Sequence, residues 1–551
     1  MGFNHLLHLP PELQIQIFSN LDAVSLKLCA RTCKAIYDTI RDSSLLQYTI
    51  QLHLDGLRHG GTPISTYSEV VDQILRRRQA WMAPDFSANA SRLIVNEAYN
   101  VHTMEIVGDT FSSTTSNHFE TTPIPTAATA QGATVGRAIS EKSIQISRMD
   151  PSQDLIVFVD DGGYPRSMTD SRAVLVHIHS ITTNDVHPLA HHSPLEFTII
   201  PDGEYDNDII LPELHISGNT LALYFCSASD EGFRPRVLIW DWVTSELLMD
   251  SSTSFNTWFR STIFGFSLLD STSFFVTSTS RDGYIHIYKI LPSRATCVAT
   301  LCLPPTNSNT IVLSISNNSG PIEARASAGR PYVEDADGRL HVFTVNYETN
   351  SAVGSTVTHH SANMFVLQRT FSQYSANRED SPLIIPWAEW GPLNTRIFDI
   401  YCSPILWKRN VYGQRVIALG PISGPNYKTH TPKYPQILDF SLAAILSAKG
   451  LLPKSLASSP PDTACKTWVL EPSTKILASE FPVFKEDLET HLPCVSYTPG
   501  FGSQAHYNTF MIHPNGVVGV IHGVRSQFLM FDSLLGDPYD ESCLSTLIGD
   551  R

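Results

Sequence analysis

The chain predicts an α+β multidomain protein, with a small all-α module at the N-terminus and a large all-β domain after it. Three observations carry this. Apolar residues in the first fifty positions recur at spacings of three and four, the period of a helix. From about residue 86 the apolar runs are short and alternating, and Asp-Gly, Pro and Ser/Thr clusters separate them, the pattern of strands and turns. No long helical period occurs beyond that point. The predicted organisation is a helical module over 1–50, a helical connector over 51–85 and a β domain over 86–551.

The first helix begins at Pro10 and Pro11, because proline suits a first turn whose N–H groups lack intrahelical partners. Glu12 stands in that turn, where negative charge complements the helix dipole. Leu13, Ile17 and Leu21 then make one apolar stripe. Asn20 and Asp22 mark a break, and Asp22 is placed to cap the next helix. In that helix Leu26, Cys29, Cys33, Ile36 and Ile40 share a face. Ser43 or Ser44 caps a third segment opening with Leu45 and Leu46. Forty residues bury little surface alone, so the stripes are expected to continue into a partner or into the rest of the chain.

Residues 6–46, LLHLPPELQIQIFSNLDAVSLKLCARTCKAIYDTIRDSSLL, resemble an F-box. Leu9 and Pro10 match the family's opening Leu-Pro. Leu13, Ile17, Phe18 and Leu21 match its first-helix apolar positions; Leu26, Cys29 and Cys33 match those of the second helix, with Lys34 at the usual basic position. Thr32, Ile36 and Leu46 depart from the commoner Val, aromatic and Trp. The resemblance implies docking of these ten matching residues on a Skp-type adaptor, and through it on a cullin, with the rest of the chain holding a protein substrate. It implies a non-catalytic adaptor of a ubiquitin ligase.

After the module, residues 68–81 (SEVVDQILRRRQAW) predict a helix on which Val71, Ile74, Leu75 and Arg78 share a face. The run Arg76, Arg77, Arg78 reads as a solvated face. Within the β domain, 221–250 is the clearest copy of a weak repeat, with strands at 221–225, 237–242 and 247–250. Its Trp240-Asp241 resembles the dipeptide that closes a strand in WD-type propeller blades. Further copies are expected at 274–290, turning at Asp282-Gly283, and at 333–345, turning at Asp337-Gly338. Residues 155–159 are expected to pair with 173–179, and 415–419 with 467–472; 516–532 is the last copy. Residues before 155, including 99–107, are expected to help close the ring. The expected fold is therefore a degenerate β-propeller of six or seven blades, with a pair of sandwiches as the alternative. Residues 109–134, 201–212 and 447–466 read as loops.

Composition narrows the function. A net charge of −15 over 551 residues argues against a nucleic-acid surface. No run of eighteen apolar residues predicts a membrane span, and MGFNHLLHLPPEL lacks the features of a secretory signal. Nine cysteines without framework spacing suit a reducing compartment, cytoplasmic or nuclear. Cys29 and Cys33 lie on an apolar stripe, so they read as packing residues and no metal or cofactor is expected. His177 and His179 read as a solvent-facing pair. GPISGPNYKT at 420–429 fails as a phosphate loop, because Pro421 and Pro425 lack the N–H a phosphate needs. The Trp-rich 386–396 reads as packing. The expected role is substrate recognition in a Skp–cullin–F-box ligase; an F-box scaffold outside a ligase and a propeller enzyme are the alternatives.

Overall fold

The structure is a computed structural model. It describes residues 4–82, 85–86, 92–96, 103–115, 117–124, 135–139, 144–162, 171–200, 209–229, 232–254, 263–292, 294–323, 325, 330–350, 357–375, 382–398, 410–419, 435–452, 465–501, 509–521 and 525–530. Residues 201–208 of the loop expected over 201–212, the segment 420–429 and most of the loop expected over 447–466 lie outside these residues; the end of the first of these loops is corrected, because the apolar Ile210 already pairs with Cys226 in the strand Ile210–Ser217.

Six helices open the chain: α1 (Asn4–Leu7), α2 (Pro11–Phe18), α3 (Ala23–Ala30), α4 (Lys34–Asp42), α5 (Ser44–Asp55) and α6 (Tyr67–Met82). Asp22 caps α3 by accepting from Ser25 N at 2.7 Å, and Ser43 caps α5. The stripe running from Leu26 to Ile40 is divided between two helices, α3 and α4. Cys33 breaks it with an extended backbone, φ −158° and ψ 161°, while Thr32 folds its hydroxyl back onto Cys29 O. Helix α5 crosses the boundary expected at residue 50 and ends on Gly56, whose left-handed φ of 63° costs glycine nothing.

Seven sheets of four or more strands come after the helices, each built on a meander of antiparallel neighbours. Their innermost strands are Thr103–Val107, Ile144–Asp150, Ile210–Ser217, Ile263–Leu268, Thr310–Ser319, Val411–Tyr412 and Thr509–His513, which we number as blades one to seven. Each innermost strand touches the next, and the last touches the first. This is a closed seven-bladed propeller. Its seventh blade is completed by Arg92–Asn96, which pairs antiparallel with Arg525–Met530, so the two ends of the β region lock one another. The inter-blade cores are aliphatic and aromatic. Leu238, Trp240 and Trp242 face blade two, and Val237 and Ile239 face blade four.

The pairings of 155–159 with 173–179 and of the strands around Trp240 and Asp282-Gly283 stand as expected. Others are corrected. Residues 415–419 pair with Pro435–Asp439, and Cys465–Glu471 pairs with Cys494–Phe501. Residues 332–334 do not form a hairpin with the strand at Leu340–Asn350; they pair with Leu57–His59 beside the helical module. Residues 110–114 and 118–123 are strands of blade one, since Thr is as suited to a pleated, half-buried surface as it is to a loop. His177 and His179 are each only 9% exposed: a blade packs on neighbours through both faces, so the alternate face of this strand is covered too. His179 meets Phe158 edge-on in that seam. Trp387 and Trp390 are buried, as packing residues. No described helix is long and apolar enough to cross a membrane.

Candidate adaptor-docking surface

The helical module divides its apolar residues between two faces. Phe18, Leu26, Ile40 and Leu46 are buried, with Ile50, Leu54 and Met82 beneath them. Leu21 and Cys29 pack partly against this core, and Cys33 is half-buried. On the other side, Leu13 and Ile17 are each 45% exposed, one turn apart on α2. Val24 and Leu28, one turn apart on α3, are 52% and 57% exposed. Leu7 and Tyr37 are exposed as well. Leu9 is half-buried, and Pro10 and Lys34 are exposed. The Leu9-Pro10 lead into α2 is held by the buried Gln14, whose Nε2 donates to Leu9 O at 2.8 Å.

Of the ten residues singled out in the sequence, Phe18 and Leu26 are thus corrected: at 2% and 0% exposure they fill the module's own core and present nothing to a partner. Helical spacing alone could not make this distinction, because both faces of α2 carry apolar residues. Val24 and Leu28 were missed for the same reason; their i, i+4 spacing was the available signal.

Where the module meets the propeller, α6 lies over the first-to-second-strand turns of blades six and seven. Trp81 Nε1 donates to Pro514 O at 2.9 Å, and the Arg415 guanidinium stacks on the Trp81 ring at 4.8 Å. Arg77 and Arg78 are 2% and 1% exposed, which corrects the solvated reading of this run; of the three, Arg76 alone faces water. Arg78 pairs with Asp55 at 2.7 Å and bonds Gln51, while Arg77 pairs with Glu334 and bonds Pro514 O. Arg330 with Glu323 and Arg415 with Asp439 complete a set of buried pairs. Buried charge is tolerated only when paired in this way. Burial pushes the Glu334 carboxyl above its usual range, against the pull of Arg77. The seam continues into backbone pairing: Asp335 N donates to Gly56 O, and Gly60 N to Pro331 O, both at 2.8 Å.

Residues 6–49 match the F-box-like family. The exposed rows Leu13–Ile17 and Val24–Leu28 are therefore the outer surface of an F-box-like module. No curated protein sequence matches the chain. Among solved structures, the WD40 β-propeller domain of Doa1 is similar at 10% identity, over 81% of this chain and 97% of that one, with a TM-score of 0.31. The WD40 domain of SCAP from fission yeast is similar at 9% identity, over 80% and 83%, with a TM-score of 0.32. The C-terminal WD40 domain of Sif2 is similar at 8% identity, over 80% and 97%, with a TM-score of 0.32. The seven-bladed ring rests on the strand pairing described above, independently of these likenesses.

Proposed function

We propose that the protein is the substrate-recognition subunit of a Skp–cullin–F-box ubiquitin ligase. The observation that carries this reading is the pair of apolar rows left exposed on an F-box-like module whose other large apolar side chains, Leu7 and Tyr37 apart, are buried or partly buried. Leu13, Ile17, Val24 and Leu28, with Leu9, Pro10 and Lys34 beside them, are the contacts for a Skp-type adaptor, which brings a cullin. Burial of apolar side chains supplies the driving force.

Topology favours one face of the propeller for the substrate. Neighbouring strands of each meander run antiparallel, so the turns from first to second strand emerge on one face of the ring and those from second to third on the other. The module occupies the first of these faces through Tyr332–Glu334, Gln414 and Pro514. The opposite face, formed by the remaining connections, is left for a protein substrate. The chain itself catalyses nothing on this reading; it raises the concentration of substrate lysines near the ubiquitin-loaded enzyme. Its place is where adaptor and cullin are, in the cytoplasm, the nucleus or both.

The test is co-purification of the full chain and of its Ile17→Asp variant from cells. Adaptor and cullin are expected with the first and not with the second. Adaptor without cullin supports the scaffold reading instead, and equal recovery with both chains refutes docking through α2.

A further inference from the structure

The core of the F-box-like module is not closed by the module. Ala443, fully buried, belongs to the same cluster as Phe18, Leu26, Ile40, Leu46, Ile50 and Leu54, and Leu446 and Leu452 pack on its edge. These three come from blade six, about four hundred residues away in sequence. Ala443 and Leu446 lie on the helix Leu442–Ala448, inserted directly after the blade-six strand Pro435–Asp439. The helix is fixed at its start: Ser441 Oγ caps Ala444 N at 3.2 Å, and Ser441 N donates to Asp439 Oδ1 at 2.8 Å. Asp439 is itself held by Arg415, and Arg415 lies on Trp81 of α6. One continuous path of contacts therefore runs from the folded blade six to the inside of the docking module. On its far side the same helix also meets the sheet: Ala444 and Ile445 belong to the core that contains Ile417, Ile437, Val495 and Trp81. A helix with one face in each core cannot leave one without uncovering the other.

We propose that the docking surface is gated by completion of the propeller: α2 to α5 take their docking-competent arrangement only when the blade-six helix is seated beneath them. A chain whose sixth blade is unfolded, damaged or not yet made then fails to display Leu13, Ile17, Val24 and Leu28 in register. This rests on the adaptor reading for its consequence, though the coupling itself is a property of the chain. The device keeps receptors without a finished substrate platform out of the ligase. The F-box-like core of a small module is too poor in buried area to hold alone, which is why a distant apolar helix controls it.

The experiment compares the full chain with Ser441→Ala and Ala443→Arg, using amide hydrogen exchange and binding of a recombinant Skp-type adaptor. Ser441→Ala loosens the helix without placing anything new in either core. It is expected to raise exchange in Leu442–Ala448 and in α3 and α5 together, while amides of blades one to three keep wild-type protection. Ala443→Arg is expected to give the larger change and to weaken adaptor binding at least about tenfold. If Ser441→Ala speeds exchange in its own helix and leaves α3 and α5 unchanged, the gate is overturned. Unchanged adaptor binding by Ala443→Arg overturns it as well. If exchange is coupled as expected but the wild-type chain binds no adaptor, the coupling stands and the adaptor reading falls. If Ala443→Arg fails to fold, Ser441→Ala decides.

Discussion

Ile17 and Phe18 are adjacent in the chain and opposite in consequence. Ile17 is half in water, so Ile17→Asp is expected to change the stability of the free chain by no more than roughly 0.5 kcal/mol. In a docked complex the same carboxylate is buried without a partner, and adaptor binding is expected to fall by several kcal/mol. Phe18 is 2% exposed, and Phe18→Ala is expected to cost about 3–5 kcal/mol of module stability. Urea unfolding followed by α-helical signal, set beside adaptor affinity, separates the two; a stability loss with Ile17→Asp as large as with Phe18→Ala refutes the assignment of faces. His513 carries a titration that no sequence pattern marks. It is fully buried at the junction with the helical module, Asn515 N donates to its Nδ1 at 3.3 Å, and burial, with Arg330 and Arg77 nearby, depresses its pKa to about 3. Between pH 6.5 and about 3 the unfolded chain holds a proton there that the folded chain refuses. Stability therefore falls as pH falls through that window, by about 1.4 kcal/mol per unit for this ring. His286, depressed by burial to about 4, adds to the same slope, and Glu334, raised by burial, opposes it. His513→Gln is expected to flatten the dependence of stability on pH between about 6.5 and 4 by about one proton; an unchanged slope refutes a neutral buried His513.

Strands that carry their own turn chemistry were legible, and those that borrow it were not. Trp240 and Asp241 behave as their positions imply: Trp240 is 3% exposed in the seam toward blade two, and Asp241 Oδ1 accepts from Val243 N at 3.0 Å and Thr244 N at 2.9 Å. Trp240→Ala is expected to cost roughly 3–5 kcal/mol and to lower the melting temperature of the whole ring. Asp241→Ala loses the two turn bonds and is expected to cost about 1–2 kcal/mol. Calorimetry on the full chain checks both, and wild-type stability with either alanine refutes the strand register. Asp337-Gly338 misled, because a hairpin signal says nothing about which strand is nearest. Residues 332–334 found Leu57–His59 instead, a partner almost three hundred positions away. The Arg run of α6 misled in the same way: three basic residues look solvated until Asp55 and Glu334 arrive from elsewhere in the chain. The surface rows of α2 and α3 were half legible, since periodicity locates a stripe but burial depends on which side the rest of the molecule covers.

At the scale of the whole molecule, sequence patterning marks a boundary near residue 86, where helical period gives way to strands. The folded chain disregards it. Trp81, 1% exposed, sits in one core with Tyr412, Ile417, Ile437, Val495, Tyr497, Phe510, Ile512 and Val517 from blades six and seven. Arg77 neutralises Glu334 in the blade-five connection, and Leu57–His59 supplies the strand partner of Tyr332–Glu334. A fragment 86–551 therefore keeps the residues that pair the seven blades, including Arg92–Asn96, except Asp85 opposite Gly500, yet uncovers an apolar surface and removes Arg77 from Glu334. Removing one partner of a buried pair costs roughly 3–5 kcal/mol, and the loss of Trp81 adds a similar amount. Against a total stability of about 5–15 kcal/mol, those losses are enough to make the fragment marginal. The full chain is expected to lose its helical and β signals in one transition. The 86–551 fragment is expected to melt well below it or to aggregate, and Arg78→Ala in the full chain to fall between them, because that change breaks the Asp55 pair and leaves Trp81 in place. Thermal melts of the three, followed by circular dichroism and light scattering, give the order; a fragment as stable as the full chain means that the helices sit on the propeller without supporting it.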